Sequence, residues 1–137
     1  MKASILKKSL ISMIDSKIPV FVWGNPGVGK SSIIKQIAND KNMEFIDLRL
    51  SLLDPTDLRG IPFFDSANKS AIWAKPEFLP NSNSQAFGIL FLDEINSAPP
   101  TVQAAAYQLI LDRKIGEYTL PMNYAIVAAG NYESDRG

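Results

Sequence analysis

The chain has 137 residues, the size of one modest domain, and at 46% hydrophobic and 20% charged it has ordinary globular usage. Lys+Arg and Asp+Glu balance at 14 each, so no global basic field points to nucleic acid. The absence of cysteine and histidine excludes disulfide frameworks, thiolate zinc sites, Cys nucleophiles and His-dependent triads; any metal must be held by oxygen, which favours Mg²⁺ over zinc.

The N-terminal stretch is broken by Lys7, Lys8, Ser9 and Ser12, so it holds no apolar core of signal-peptide length. No run approaches the ~18 apolar residues of a membrane span, and cytoplasm is the expected compartment. Leu6, Leu10, Met13 and Ile14 recur at helical spacing, predicting an amphipathic helix over 3–15 that Pro19 ends. "VFVW" (20–23) is a continuous apolar run, the mark of a buried strand. "GNPGVGKSS" follows it, and "IIKQIAND" continues as a helix. "EFIDLRL" (44–50) reads as a second strand and "LDPTDLRGIP" (53–62) as a turn-rich loop. Residues 63–74 fit a small hairpin around Asn68-Lys69, and 75–86 are loop-like. "GILFLDE" (88–94) is a third buried strand, 99–114 a proline-initiated helix, "EYTLP" (117–121) one arm of a short hairpin, and "YAIVAAGN" (124–131) a fourth apolar strand. Strand–helix units with continuous apolar strands predict an α/β fold: a mostly parallel sheet with helices on both faces.

Gly24 to Ser31 match G-x-x-x-x-G-K-[ST] between a predicted strand and a predicted helix. Glycines let backbone N–H groups curl around phosphates, and the helix starting there points its positive end at the anion. The candidate nucleotide-binding residues are Gly24, Asn25, Pro26, Gly27, Val28, Gly29, Lys30, Ser31 and Ser32. Lys30 would reach the β/γ-phosphates and the Ser31 hydroxyl would ligate Mg²⁺. This supplies a positive partner for "ILFLDE", where a buried strand ends in adjacent carboxylates. In P-loop NTPases a strand ending in Asp lies beside the phosphate loop and holds Mg²⁺; Asp93 fits that role, and Glu94 would orient or deprotonate the attacking water.

"GNPGVGKSSI", "DLRLSLLDPTDLRGIP", "FLDEINSAPPTVQAAAYQLILDRKIGEYTLP" and "AIVAAGN" together resemble the MoxR branch of AAA+ ATPases, from Val20 to the end. The resemblance implies the three-layer P-loop NTPase sandwich of AAA+ type, ATP as the nucleotide, a Walker A motif at Gly24–Ser31, a Walker B motif at Ile89–Glu94 and a sensor-1 amide at Asn131 that contacts the γ-phosphate and the water Glu94 activates. It implies an insertion over Gly60–Leu79 and a hairpin over Ile115–Met122. It also implies hexameric rings, chaperone-like remodelling of protein clients, and partners with a von Willebrand factor A domain; neither nucleic acid nor membrane is expected. Asn96 belongs to the "DEIN" signature or serves as a helix cap or turn residue. Ser97 stands where relatives carry a basic residue. Asp54, Asp57 and Arg59 make a turn or a subunit contact, Trp73 and Phe78 are packing residues, and Trp23 is core or adenine-pocket wall. Arg113 and Arg136 are the candidate trans-acting cations. The family's fifth strand, arginine finger and helical lid have no counterpart in residues 1–137, which therefore read as the front of an AAA+ core. The alternatives are a nucleotide-binding switch or scaffold without turnover, and a nucleic-acid remodeller on the same kind of core.

Overall fold

The structure, a computed structural model, describes residues 3–16, 18–24, 29–54, 57–58, 61–67, 69–76 and 78–131. The periodic N-terminal segment forms α1 (Ala3–Asp15). It leads into β1 (Val20–Gly24), α2 (Lys30–Asp40) and β2 (Glu44–Arg49), which ends in a 3₁₀ turn at Leu50–Leu52. The expected first hairpin is β3 (Ile61–Asp65) paired antiparallel with β4 (Ser70–Ala74). Then come β5 (Gly88–Asp93), a 3₁₀ turn at Ile95–Ser97, and α3 (Pro100–Asp112). A two-residue-per-arm hairpin of β6 (Lys114–Ile115) and β7 (Tyr118–Thr119) leads to β8 (Tyr124–Asn131).

Four strands form one sheet in the order β1-β8-β5-β2, every pairing parallel. Side chains alternate across a strand, so each apolar run feeds two cores. Ile89 and Phe91 of β5, with Ala125, Val127 and Ala129 of β8, pack under α1 and α2 against Leu10, Ile14, Ile34 and Ile37. Leu90 and Leu92, with Tyr124, Ile126 and Ala128, pack under α3 against Val102, Ala106 and Leu109. Ile89 to Leu92 are all 0% exposed. At about 1.5–3 kcal/mol for each such side chain, burial on both faces explains why this strand reads as a continuous apolar run.

The edge strand departs from that expectation. Val20 and Val22 are buried under α1 and α2, but Phe21 and Trp23 are 39% and 43% exposed. They face the α3 side, where Phe21 stacks on both Trp23 and Tyr107. "VFVW" is therefore a one-sided strand among the described residues, and Trp23 is not core. Phe78 packs against the α3-side core as expected. The Trp73 side chain, Asn68, Arg59 and Arg136 lie outside what is described. Asp54 and Asp57 close a local turn, with the Asp54 N–H donating to Asp57 Oδ2 at 2.7 Å and the Asp57 N–H to the Asp54 carbonyl at 2.9 Å.

Arg113 has a structural task. It caps α3 in the left-handed conformation, at φ 58°. Its Nη2 donates to the carbonyls of Pro121 (2.6 Å) and Tyr124 (2.7 Å), tying the β6–β7 hairpin to the start of β8. A guanidinium spent on two internal carbonyls is not presented to a neighbouring subunit. Burial lowers its pKa from the ordinary arginine value; without it the Pro121 carbonyl would keep only the Tyr124 N–H at 3.1 Å, and the Tyr124 carbonyl would lose its guanidinium donor. Arg113→Ala should cost about 2–3 kcal/mol in thermal unfolding, and Arg113→Lys should recover little, because an ammonium cannot reproduce the planar fork. Equal stability of Arg113→Lys and the parent would show that charge alone suffices.

Candidate functional site

Because the sheet is parallel, the carboxyl ends of its strands lie together, which is where open α/β sheets build ligand sites. Gly24 ends β1, Asn131 ends β8, Asp93 ends β5 and Arg49 ends β2; the registers align Gly24 with Asn131 and Arg49 with Asp93. β8 stands between the β1 and β5 strands, so Asp93 reaches the phosphate-loop region from across one strand rather than from the next one.

The lysine of the loop motif begins α2. Gly29, the residue before it, has φ 78°, a value that side-chain-bearing residues seldom take. The Ile33 N–H donates to the Gly29 carbonyl at 3.0 Å, closing the first helical turn. Among the described residues no side chain caps this end, and no acidic residue occupies its first turn. Its N–H groups, those of Ser31 and Ser32 among them, find no acceptor within the helix, and the dipole there favours an anion. Asn25 to Val28 lie outside the described residues. Lys30 Nζ donates to Asn131 Oδ1 at 3.0 Å and to the Gly24 carbonyl at 3.4 Å. Two candidates 101 residues apart in sequence thus meet directly.

At the end of β5 the chain kinks. Glu94 has φ 57°, a left-handed conformation costing about 1–2 kcal/mol for a residue with a side chain. The Asp93 carboxylate supports it by accepting the Glu94 N–H at 2.9 Å. The kink turns Glu94 towards β2: Ser51 Oγ donates to Glu94 Oε2, and Arg49 Nε lies 3.6 Å from Oε1. Sequence reasoning missed both partners, since nothing local in "LRLSL" says that its strand neighbours "FLDE". Burial pushes the Asp93 carboxyl above the usual carboxylate range; the Glu94 N–H opposes that shift, while the neighbouring Glu94 and Asp47 charges add to it. Asp47 is likewise raised by burial, opposed by Arg49 and Lys35. The site therefore holds one carboxylate, Asp93, whose ionised form burial disfavours.

Asn96 is not a helix cap; it lies within the Ile95–Ser97 turn, and its side chain also reaches β8. Its Nδ2 donates to the Asn131 carbonyl at 2.6 Å, and the Asn131 N–H donates to its Oδ1 at 3.2 Å. Ser97 is exposed. A groove of about 640 Å³ opens at the opposite, amino ends of the strands, lined by Ile14, Asp40, Lys41, Phe87 and Asn123 among others. Its polar rim is internally satisfied: Lys41 pairs with Asp15 at 2.9 Å, and Asn123 Nδ2 donates to the Gln85 carbonyl at 3.2 Å. The carboxyl-end cluster is thus the better candidate.

Residues 19–137 match the family described as "ATPase family associated with various cellular activities (AAA)". The chain belongs to this family. It is 30% identical over 107 residues to the replication factor C large subunit of Ignicoccus hospitalis, which covers 78% of this chain but 20% of that protein. Among solved structures, a candidate ATPase from Cytophaga hutchinsonii aligns over 95% of the chain and 38% of its own, with a TM-score of 0.62 and 21% identity. NtrX from Brucella abortus in complex with ADP aligns over 98% of this chain and 30% of its own, with a TM-score of 0.61 and 18% identity. The AAA+ P-loop fold is thereby established, with ATP binding and hydrolysis as the family's general activity. The chain spans about a fifth to two fifths of the length of these relatives. Among the described residues no helix is long and apolar enough to cross a membrane.

The raised Asp93 carboxyl has a consequence for stability. A carboxyl whose folded pKa exceeds its unfolded value costs stability above both values, and the cost is relieved as falling pH protonates the folded state first. Asn can keep an oxygen facing the Glu94 N–H. Asp93→Asn should therefore raise the unfolding temperature at pH 7, by an amount that shrinks as pH falls to about 4, the ordinary range of Asp. Thermal melts at the two pH values decide it; equal destabilisation at both would contradict the burial argument.

Proposed function

We propose that this chain is the nucleotide-binding front of a MoxR-type AAA+ ATPase that binds Mg²⁺–ATP at the carboxyl ends of its strands and, within a longer ring-assembled protein, hydrolyses it to remodel protein complexes in the cytoplasm. The observation that carries the reading is the direct Lys30–Asn131 contact, 3.0 Å, at the uncapped start of α2. A lysine and an amide held together there can meet the same terminal phosphate. Gly24 to Ser32 serve as the Walker A cradle, with Lys30 compensating phosphate charge. Asp93 and Glu94 close the Walker B strand.

The donor set suits a hard cation. Ser31 and Asp93 offer oxygen only, and no three Asp, Glu, His or Cys groups among the described residues converge to cage a metal unaided. That fits Mg²⁺, which takes few protein ligands and shares phosphate oxygens. Bound there, Mg²⁺ would neutralise phosphate charge. Asn131 orients the terminal phosphate, and Glu94 accepts the proton of the attacking water through its carboxylate. For that the Glu94 side chain has to exchange Ser51 for water. The hexamer, the von Willebrand factor A partner and the protein clients come from the MoxR resemblance. The likeness to a replication factor C subunit favours a second reading, DNA remodelling on the same core; balanced charge argues against it, and salt-dependent DNA binding would support it.

Lys30→Ala should abolish measurable Mg²⁺–nucleotide binding in calorimetric titration with a non-hydrolysable ATP analogue, since the site loses its full positive charge. Unchanged affinity would remove the phosphate-site assignment. In the ring-assembled protein, Glu94→Gln should bind ATP normally and lose turnover by about 10²-fold or more. Equal loss of binding in Glu94→Gln and Asp93→Asn would contradict the division of roles between the two carboxylates.

A further inference from the structure

β8 is longer than the strand beside it. Its ladder with β5 stops at Leu92–Ala128, where β5 kinks away at Glu94, while its other side stays paired with β1 as far as Gly24–Asn131. On the β5 side the residues Ala129, Gly130 and Asn131 run on past the last rung. In a strand the N–H and C=O of one residue point to the same side, so Asn131 presents both groups where β5 has ended. The Asn96 side chain meets them both, donating to the carbonyl at 2.6 Å and accepting from the N–H at 3.2 Å. Its amide thus stands in for one more strand residue.

The neighbourhood is shaped for this contact. A Cβ at Gly130 would lie 2.9 Å from Asn96 Oδ1 and 2.4 Å from the Trp23 ring, so only a bare Cα lets the amide and the indole close over the strand. The backbone held in this way carries the Asn131 side chain, whose Oδ1 accepts from Lys30 Nζ at 3.0 Å. Asn96 also sits on the same short turn as Asp93 and Glu94. One turn therefore sets the two carboxylates and grips the residue opposite them.

We infer that Asn96 is a positioning residue: it acts through the Asn131 backbone to aim the Asn131 amide at the terminal phosphate, coupling the carboxylate turn to the phosphate side of the site. The inference rests on the nucleotide reading proposed above. It differs from a cap or packing role because its effect should fall on the terminal phosphate alone. An isolated buried hydrogen-bond pair would cost only stability.

The test uses the full chain, Asn96→Ala, Asn131→Ala and the double variant, with two readouts. Amide hydrogen exchange at Asn131 reports the clamp without any nucleotide. Asn96→Ala should speed it by about tenfold or more relative to Leu90 in the core, because the N–H loses its acceptor. Affinities for Mg²⁺–ADP and for a non-hydrolysable Mg²⁺–ATP analogue report the aim. Asn96→Ala should reduce the preference for the ATP analogue by about tenfold and spare ADP binding, and the double variant should be no worse than Asn131→Ala, since the two act as one unit. Asn96→Ser serves if Asn96→Ala folds poorly. Unchanged exchange at Asn131 overturns the clamp. Faster exchange with an unchanged nucleotide preference, or additive losses in the double variant, overturns the positioning role. A parent chain that binds neither nucleotide while Asn131 exchange still responds to Asn96 would refute the nucleotide reading, and the positioning role with it, but leave the clamp standing.

Discussion

Every candidate group in this protein depends on the four strands of the main sheet running in the same direction. Parallel pairing puts Gly24, Arg49, Asp93 and Asn131 at one end of the sheet, although they come from distant parts of the chain. An antiparallel neighbour would send its terminal residue to the far end, and Lys30 would have no Asn131 to meet. The direction itself is enforced by burial on both faces. Two separate cores draw alternate residues from β5 and β8, and each needs its own layer of helix. α2 returns the chain from β1 to the start of β2 and α3 from β5 towards the start of β8, while the connection from β2 to β5 carries the β3–β4 hairpin.

On that frame the site is assembled from opposed tendencies. A helix start without a cap or an acid attracts anions. Within the field of Lys30 lies the Asp93 carboxyl, which burial makes reluctant to ionise. The kink at Glu94 prevents β5 from continuing into this space and hands the open side of β8 to Asn96. It also directs Glu94 to Ser51 and Arg49. The Arg49–Glu94 pair is mostly solvent-accessible on the arginine side, and such pairs contribute little to stability. Its significance is positional: it offers Glu94 a resting partner that costs little to leave.

Much of this was legible in the sequence. The strands and helices followed from periodicity and from Gly and Pro breakers, because both signals are local. The Lys30 motif and the Asp93–Glu94 pair stood out because each breaks a local rule: a glycine-rich turn before a lysine, and adjacent charges ending an apolar strand. Lateral order was less legible. That β8 separates β1 from β5, that Ser51 and Arg49 face Glu94, and that Asn96 grips Asn131 all depend on register between strands more than 30 residues apart. An apolar run does not say whether a strand is central or at an edge; the Trp23 ring lies exposed over Gly130, which removes the core alternative and leaves the pocket-wall one open to test. Nothing local in the sequence distinguishes a functional Arg113 from one that binds the Pro121 and Tyr124 carbonyls.

The central claim is that nucleotide binds at the carboxyl ends of the strands. The most direct measurement is a titration of the isotope-labelled chain with a non-hydrolysable Mg²⁺–ATP analogue, followed by NMR. The amides of Gly29 to Ser32, Asp93 to Asn96 and Asn131 should shift together, while Asn42, Phe87 and Asn123 around the groove at the amino ends stay still. Shifts confined to Asn42, Phe87 and Asn123 would place the ligand at the wrong end of the sheet and contradict the account.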